Sequence, residues 1–148
     1  MTLEAAVAEP STADDVAIAR VLVRYGHGID SLDMGLVASC YFDDATEDRG
    51  RFIGSLSEFL PWLETELRKL ESCWHLLGYP RIEISGAAAD VETYCLAIHR
   101  TRASAEQPGA DLLIPCRYRD RFERREGEWR IARRTVIYEP TIRPGSAR

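Results

Sequence analysis

The sequence predicts an α+β domain in which three N-terminal helices pack on a strongly curved, mainly antiparallel sheet. Three observations carry this. Apolar residues recur every three to four positions only in the N-terminal half of the chain. Beyond it the period changes to two, over several long segments. Those segments are joined by short glycine-bearing connections, which suit hairpins and are too short for the crossovers that parallel strands need.

Residues 1–11 are small, polar and proline-containing and read as a flexible arm, residues 12–141 as one domain, and residues 142–148 as a tail. Thr12 is placed to cap the first helix, with Asp14 and Asp15 favourable at the positive end of its dipole. Val16, Ala19, Val23 and Gly26 follow at steps of three and four, and the next step lands on Asp30. A helical stripe that ends in a carboxylate must meet a partner or a wet pocket, because an ionised acid is costly to bury unpaired. The competing reading has Gly26 and Gly28 fraying this helix, so that Asp30 caps the next one from solvent.

That next helix is expected over residues 33–40. Tyr41 to Ala45 then lead into a brief extended piece that turns at Arg49-Gly50-Arg51. The third helix has Ser57 as its cap, Pro61 in its first turn, and Phe59, Leu60, Leu63, Leu67 and Leu70 on one face; Glu64 and Arg68 add an i, i+4 pair. Extended segments follow at about 72–85, 90–102, 112–124 and 128–141. Proline cannot donate to a ladder, so Pro80 breaks the first of them. Strands of this length exceed the usual ~5–6 residues, which calls for strong coiling and bulges.

With 148 residues the chain can bury roughly 68–70% of its unfolded surface without staples. Its 24 acidic residues against 19 basic give a net charge of −5, which argues against wholesale attraction to nucleic acid or an anionic membrane. Residues 117–134 hold eight arginines, but Asp120, Glu123, Glu126 and Glu128 interrupt them and no aromatic stacking motif accompanies them. Cross-strand ion pairs on an exposed or dimer-facing sheet surface are the expected outcome. No segment approaches the ~20 apolar residues of a membrane helix, and no secretory leader is evident, so a cytoplasmic protein is expected. Cys40, Cys73, Cys95 and Cys116 are widely spaced and read as reduced, buried thiols.

Several stretches in order, Arg24-Tyr25-Gly26-His27-Gly28-Ile29-Asp30, Phe42-Asp43-Asp44-Ala45, His75-Leu76-Leu77-Gly78, Tyr118-Arg119-Asp120 and Gly127-Glu128-Trp129-Arg130-Ile131-Ala132-Arg133-Arg134, give the chain its family character. In them it resembles the cone-shaped nuclear transport factor 2-like superfamily, and more narrowly its SnoaL-like branch. Members such as scytalone dehydratase, the bile-acid 7α-dehydratase and the hexachlorocyclohexane dehydrochlorinase pair a first-helix aspartate with a histidine opening the first long strand. The resemblance places Asp30 and His75 at those positions, Tyr25 where the bile-acid enzyme has a tyrosine, and Arg134 where some dehydrochlorinases have an arginine. The dehydrochlorinase's extra first-helix lysine has no counterpart here.

Physically, an imidazole is a suitable base near neutral pH, and a carboxylate fixes its tautomer and stabilises the imidazolium. Asp30 would orient and His75 would take the proton, with Trp74, Leu76 and Leu77 excluding water. Tyr25 can donate to a substrate oxygen and Arg134 can meet developing negative charge. Each also has a plain reading, Tyr25 as core and Arg134 as surface or interface. Trp74, His99, Trp62 and Tyr118 are expected to line the pocket; for His99 an oligomer face is equally open, and His27 is expected to face solvent. Asp30 and His75 make two ligands where zinc wants three or four, so neither metal nor cofactor is expected.

The leading functional reading is a cofactor-free lyase or isomerase, of dehydratase or cyclase type, acting on a small apolar or aromatic oxygenated molecule. The alternative is a non-catalytic ligand-binding or accessory subunit, like the small subunits of ring-hydroxylating dioxygenases. Apolar groups on both faces of the 91–102 strand, with Leu96 and Ile98 opposite Cys95 and Ala97, lead to the expectation of a homodimer through the outer sheet face.

Overall fold

The computed structural model describes residues 12–145. Its helices are α1 Thr12–Asp30, α2 Met34–Ala38 and α3 Leu56–Arg68. Its strands are β1 Tyr41–Asp48, β2 Ile53–Ser55, β3 Leu70–Leu77, β4 Arg81–Ser85, β5 Ala88–Thr101, β6 Asp111–Arg125 and β7 Glu128–Tyr138. The N-terminal arm and the capping role given to the Thr12 side chain lie outside what is described. Ile142, expected in the tail, instead bridges Leu113 through two backbone hydrogen bonds of 2.8 and 2.9 Å.

Helix α1 runs unbroken through both glycines, but its buried face is not the stripe the sequence offered. Val16 and Val23 are exposed, and Ile18, Val21, Leu22, Tyr25 and Ile29 are buried. The two stripes lie side by side on the helix, and the larger apolar groups win the core. Asp30 therefore stands on the flank of the buried face, where α1 meets β3. Gly28 lies against α2 so closely that an added Cβ would come within 2.8 Å of Val37 Cγ2. Asp33 caps α2, its Oδ1 accepting from the Leu36 amide at 2.9 Å, which leaves Asp30 free of that duty.

Helix α3 is capped by Ser55, two residues earlier than expected, in a capping box with Glu58. Pro61 consequently lies past the first turn, and Leu70 already belongs to β3. Phe59, Leu63 and Leu67 are buried, and Arg68 bonds Glu64 as expected.

The seven strands form one mixed sheet in the order β2-β1-β7-β6-β5-β3, antiparallel except for the β1–β7 pair, and β4 also pairs with β5. The break at Pro80 is real: β3 and β4 lie successively along the same edge of β5, covering residues 95–101 and 88–92. Glu126 and Gly127 both adopt positive φ, 51° and 82°, making the tight turn between β6 and β7. In the β6–β7 pairing the register shifts between Arg121 and Phe122, which face Arg133 and Ile131, so Ala132 is an extra residue in β7. That bulge brings Ile131 and Arg134, three apart in sequence, onto the same buried side. The core lies between this inner sheet face and the helices.

Candidate active site

Asp30 is the last residue of α1, an unfavourable place for an anion because unpaired carbonyls gather there. It is held by β3. Its Oδ1 lies 2.7 Å from His75 Nδ1, and its Oδ2 accepts from the His75 amide at 3.1 Å. A carboxylate accepts only, so Nδ1 carries the hydrogen and Nε2 is left as the basic nitrogen. The His75 side chain is 7% exposed and that of Asp30 28%, so the pair is sheltered while its carboxylate still touches water.

Cys73 precedes His75 by two residues and points to the same side of β3. Its Sγ lies 3.8 Å from Asp30 Oδ1, and burial together with that carboxylate pushes the thiol up to about 12. His99, paired with Cys73 in the β3–β5 ladder, sets its ring 5.8 Å from that of His75. Burial, and then the field of His75, lowers the His99 pKa to about 4, leaving it neutral; its buried Nε2 has no protein partner. His99 thus faces the interior.

Deeper inside, the cone is far from greasy. Tyr25 is fully buried, and its hydroxyl accepts a very short hydrogen bond from Arg49 Nη2. Arg49 also donates to Glu47 Oε1 at 2.8 Å, and Tyr41 donates to Glu47 Oε2 at 3.0 Å. Arg134 makes a two-pronged pair with Asp120, both bonds 2.7 Å, with neither side chain exposed at all. Its guanidinium is sandwiched between the rings of Tyr25 and Tyr118 at 4.1 and 4.2 Å. Burial raises the Tyr25 pKa, against the opposing influence of Arg49 and Arg134, so its hydroxyl stays protonated. Burial works against the charge on Arg134, but Asp120 and the tyrosines outweigh it.

The interior beside the dyad is therefore amphipathic where an apolar one was expected, and Arg134 is an interior residue, contrary to its reading as surface. Glu47, Arg49 and Asp120 escaped the sequence reading. Alternation was the available signal, since Ala45 and Glu47 share one face of β1, with Arg49 next in the same alternation just past its end, and Tyr118, Asp120 and Phe122 share one face of β6. Arg134 broke that count because of the bulge before it.

Trp74 requires correction. It alternates with His75, so it projects to the outer sheet face, 55% exposed, as does Leu76. Only Leu77 of the three expected water-excluding neighbours packs on the core. Tyr118 is buried as described, and half-buried Trp62 stacks on Phe52 at 5.0 Å beside Phe59. His27 is exposed. All four cysteines are free and buried; Cys95 and Cys116 face each other across β5 and β6, and a hydrogen bond from Cys116 draws the Cys95 thiol down while Cys116 moves up.

A depression of about 760 Å³ lies on the outer face, lined among others by Arg81, Glu83, Glu92, Arg119, Arg121 and Arg133. It touches neither Asp30 nor His75. Arg119 pairs with Glu92, Arg121 with Asp90 and Arg81 with Glu83, so it is a solvated ladder of ion pairs. No helix among the described residues is long and apolar enough to cross a membrane.

The fold is shared widely. LinA is similar at a TM-score of 0.80 and 21% identity, covering 91% of this chain and 92% of that one. A candidate scytalone dehydratase from Novosphingobium aromaticivorans is similar at 0.78 and 21%, covering 91% and 90%. The Kfla4162 protein from Kribbella flavida is similar at 0.79 and 17%, covering 88% and 93%. No curated protein matches the sequence. The family model described as a SnoaL-like domain matches residues 10–135, and with the helices, sheet and interior described above the chain belongs to the SnoaL-like domain family.

Proposed function

We propose that this protein is an enzyme that removes a proton from a carbon acid in a small oxygenated molecule and drives elimination or isomerisation. The observation that carries the reading is the 2.7 Å contact between Asp30 and His75 Nδ1, which engages Nδ1 as the donor and leaves Nε2 to act as the base on a sheltered imidazole. The names of two structural neighbours, a candidate scytalone dehydratase and a hexachlorocyclohexane dehydrochlorinase, describe eliminations and support the same class.

In the proposed step, His75 Nε2 takes the proton from the carbon beside a carbonyl. The C–H electron pair becomes the new double bond, and the hydroxyl on the next carbon leaves, recovering the proton from the imidazolium as water. Asp30 holds the imidazole and stabilises its charged form. Tyr25 accepts from Arg49 and keeps its own O–H to donate to the substrate oxygen on which charge develops. Arg134, committed to Asp120, positions Tyr25 and Tyr118 through its stacked guanidinium and is no longer the favoured electrophile. The hydroxyl-rich interior fits a substrate with oxygen substituents on an otherwise apolar frame.

The test is turnover of a panel of β-hydroxy ketones and hydroxylated cyclic ketones. His75→Ala and Asp30→Asn should each lower kcat/KM at least about a hundredfold, within the ~10²–10⁴ that a positioned base contributes. Turnover of an identified substrate at the wild-type rate by either variant would remove His75 from the mechanism.

A further inference from the structure

Asp30, Cys73 and His75 converge: one ligand atom from each lies within 4.8 Å of the others, and Asp30 Oδ1 is 2.7 Å from His75 Nδ1 and 3.8 Å from Cys73 Sγ. We propose that these residues form a site for a thiophilic divalent cation, with Zn²⁺ as the ion whose chemistry fits. Carboxylate, thiolate and imidazole are the three donor types that zinc takes, at ~2.0–2.3 Å each. Tetrahedral angles at those bond lengths put the donors roughly 3.3–3.7 Å apart, so the two pairs at 2.7 and 3.8 Å need shifts of a few tenths of an ångström and the third pair closes by at most about 1 Å.

The local architecture supports capture. Cys73 and His75 project from the same side of one strand, two residues apart. Asp30 comes from a helix end and keeps 28% of its side chain in water, which gives an ion a way in. His99, whose ring lies 5.8 Å from that of His75, stands outside the three-ligand set, so the fourth position is left to water. The sequence count found two ligands because it took Asp30 and His75 alone; the Cys-Trp-His spacing on a strand supplies the third.

Occupation has a consequence that rests on the proposed mechanism. Coordination through Nδ1 forces the ring proton onto Nε2, so no basic nitrogen remains. Bound Zn²⁺ therefore inhibits.

The experiment is a titration of the metal-free full-length chain with Co²⁺, read by absorption, followed by displacement with Zn²⁺. Expected are saturation at one equivalent, a near-ultraviolet sulfur-to-cobalt band, and its loss on adding Zn²⁺. Cys73→Ser should abolish the band and Cys95→Ser should leave it unchanged. His75→Ala should weaken Co²⁺ affinity at least about tenfold, as loss of even an outer-shell partner does. Circular dichroism reports folding; should Cys73→Ser be unfolded, His75→Ala and Asp30→Asn carry the test, and each must weaken the band at fixed Co²⁺. Absence of the band in folded wild-type protein, or its survival in Cys73→Ser, overturns the site. The two proposals fail separately, because a Co²⁺ band in a protein without turnover leaves the site standing, and turnover without a band leaves only the base.

Discussion

Arg134 shows how one side chain can be read correctly for charge and wrongly for place. It belongs to a run of eight arginines, among which Arg119, Arg121, Arg124, Arg125 and Arg130 pair with Glu92, Asp90, Asp14, Asp44 and Glu128. It alone in that run is fully buried, facing Asp120. A buried pair is weak evidence of net stability, but breaking it leaves an uncompensated charge in the core. Asp120→Asn should therefore destabilise by about 3–5 kcal/mol in urea or thermal unfolding. The double replacement Asp120→Leu with Arg134→Met should recover most of that loss, and a single variant within experimental error of wild type would contradict the burial.

At the scale of elements, the close approach of α1 to α2 turns on Gly28. A methyl group there would meet the Val37 side chain at 2.8 Å and its backbone nitrogen at 3.0 Å, and backbone cannot rotate away. Gly28→Ala raises helix propensity in α1, yet the clash should dominate, with a net loss of about 1–3 kcal/mol. Gly26→Ala is the control, since its added methyl meets Leu77 Cδ1 at 3.5 Å and the His75 carbonyl oxygen at 4.0 Å, both ordinary contacts. Equal stabilities for the two variants would show that α1 and α2 separate easily. The same junction sets the active site, because the end of α1 that presents Asp30 to β3 is the end that α2 braces.

For the whole molecule, three of its six tyrosines, Tyr25, Tyr41 and Tyr118, are fully buried, while Tyr79, Tyr94 and Tyr138 are exposed. Burial raises the pKa of each of the buried three above 10.0, opposed by the nearby arginines. In the unfolded chain these groups ionise near 10.0 and release protons that the folded chain retains, so their contribution is complete below that pH and is lost as pH rises above it. Spectrophotometric titration should show the phenolic signal of Tyr25, Tyr41 and Tyr118 appearing only with loss of the helical circular dichroism. A single smooth titration of all six in folded protein would refute this. On the outer face, exposed Trp74, Leu76 and Tyr94 join half-buried Leu96 and Ile98 in an apolar patch, which we propose a second copy covers. Sedimentation should give a dimeric mass, Leu76→Glu should lower it toward the monomer, and a monomer at micromolar concentration would remove the proposal.

The α+β class, the long bulged strands, the break at Pro80 and the outward ion-pair ladder were all legible in the sequence, because each follows from local periodicity or from a residue's own backbone chemistry. So were the candidates Asp30 and His75, although Val16 and Val23, which share the helical stripe of Asp30, face solvent. Tertiary structure alone decided which of two neighbouring helical stripes faces the core, since that depends on what the sheet offers opposite. It also decided that Glu47, Arg49, Asp120 and Arg134 close on one another inside, and that Cys73 joins the Asp30–His75 pair. Those relations link residues up to 87 positions apart, Glu47 and Arg134 being the extremes. They depend on a bulge and on strand order, which no local pattern encodes.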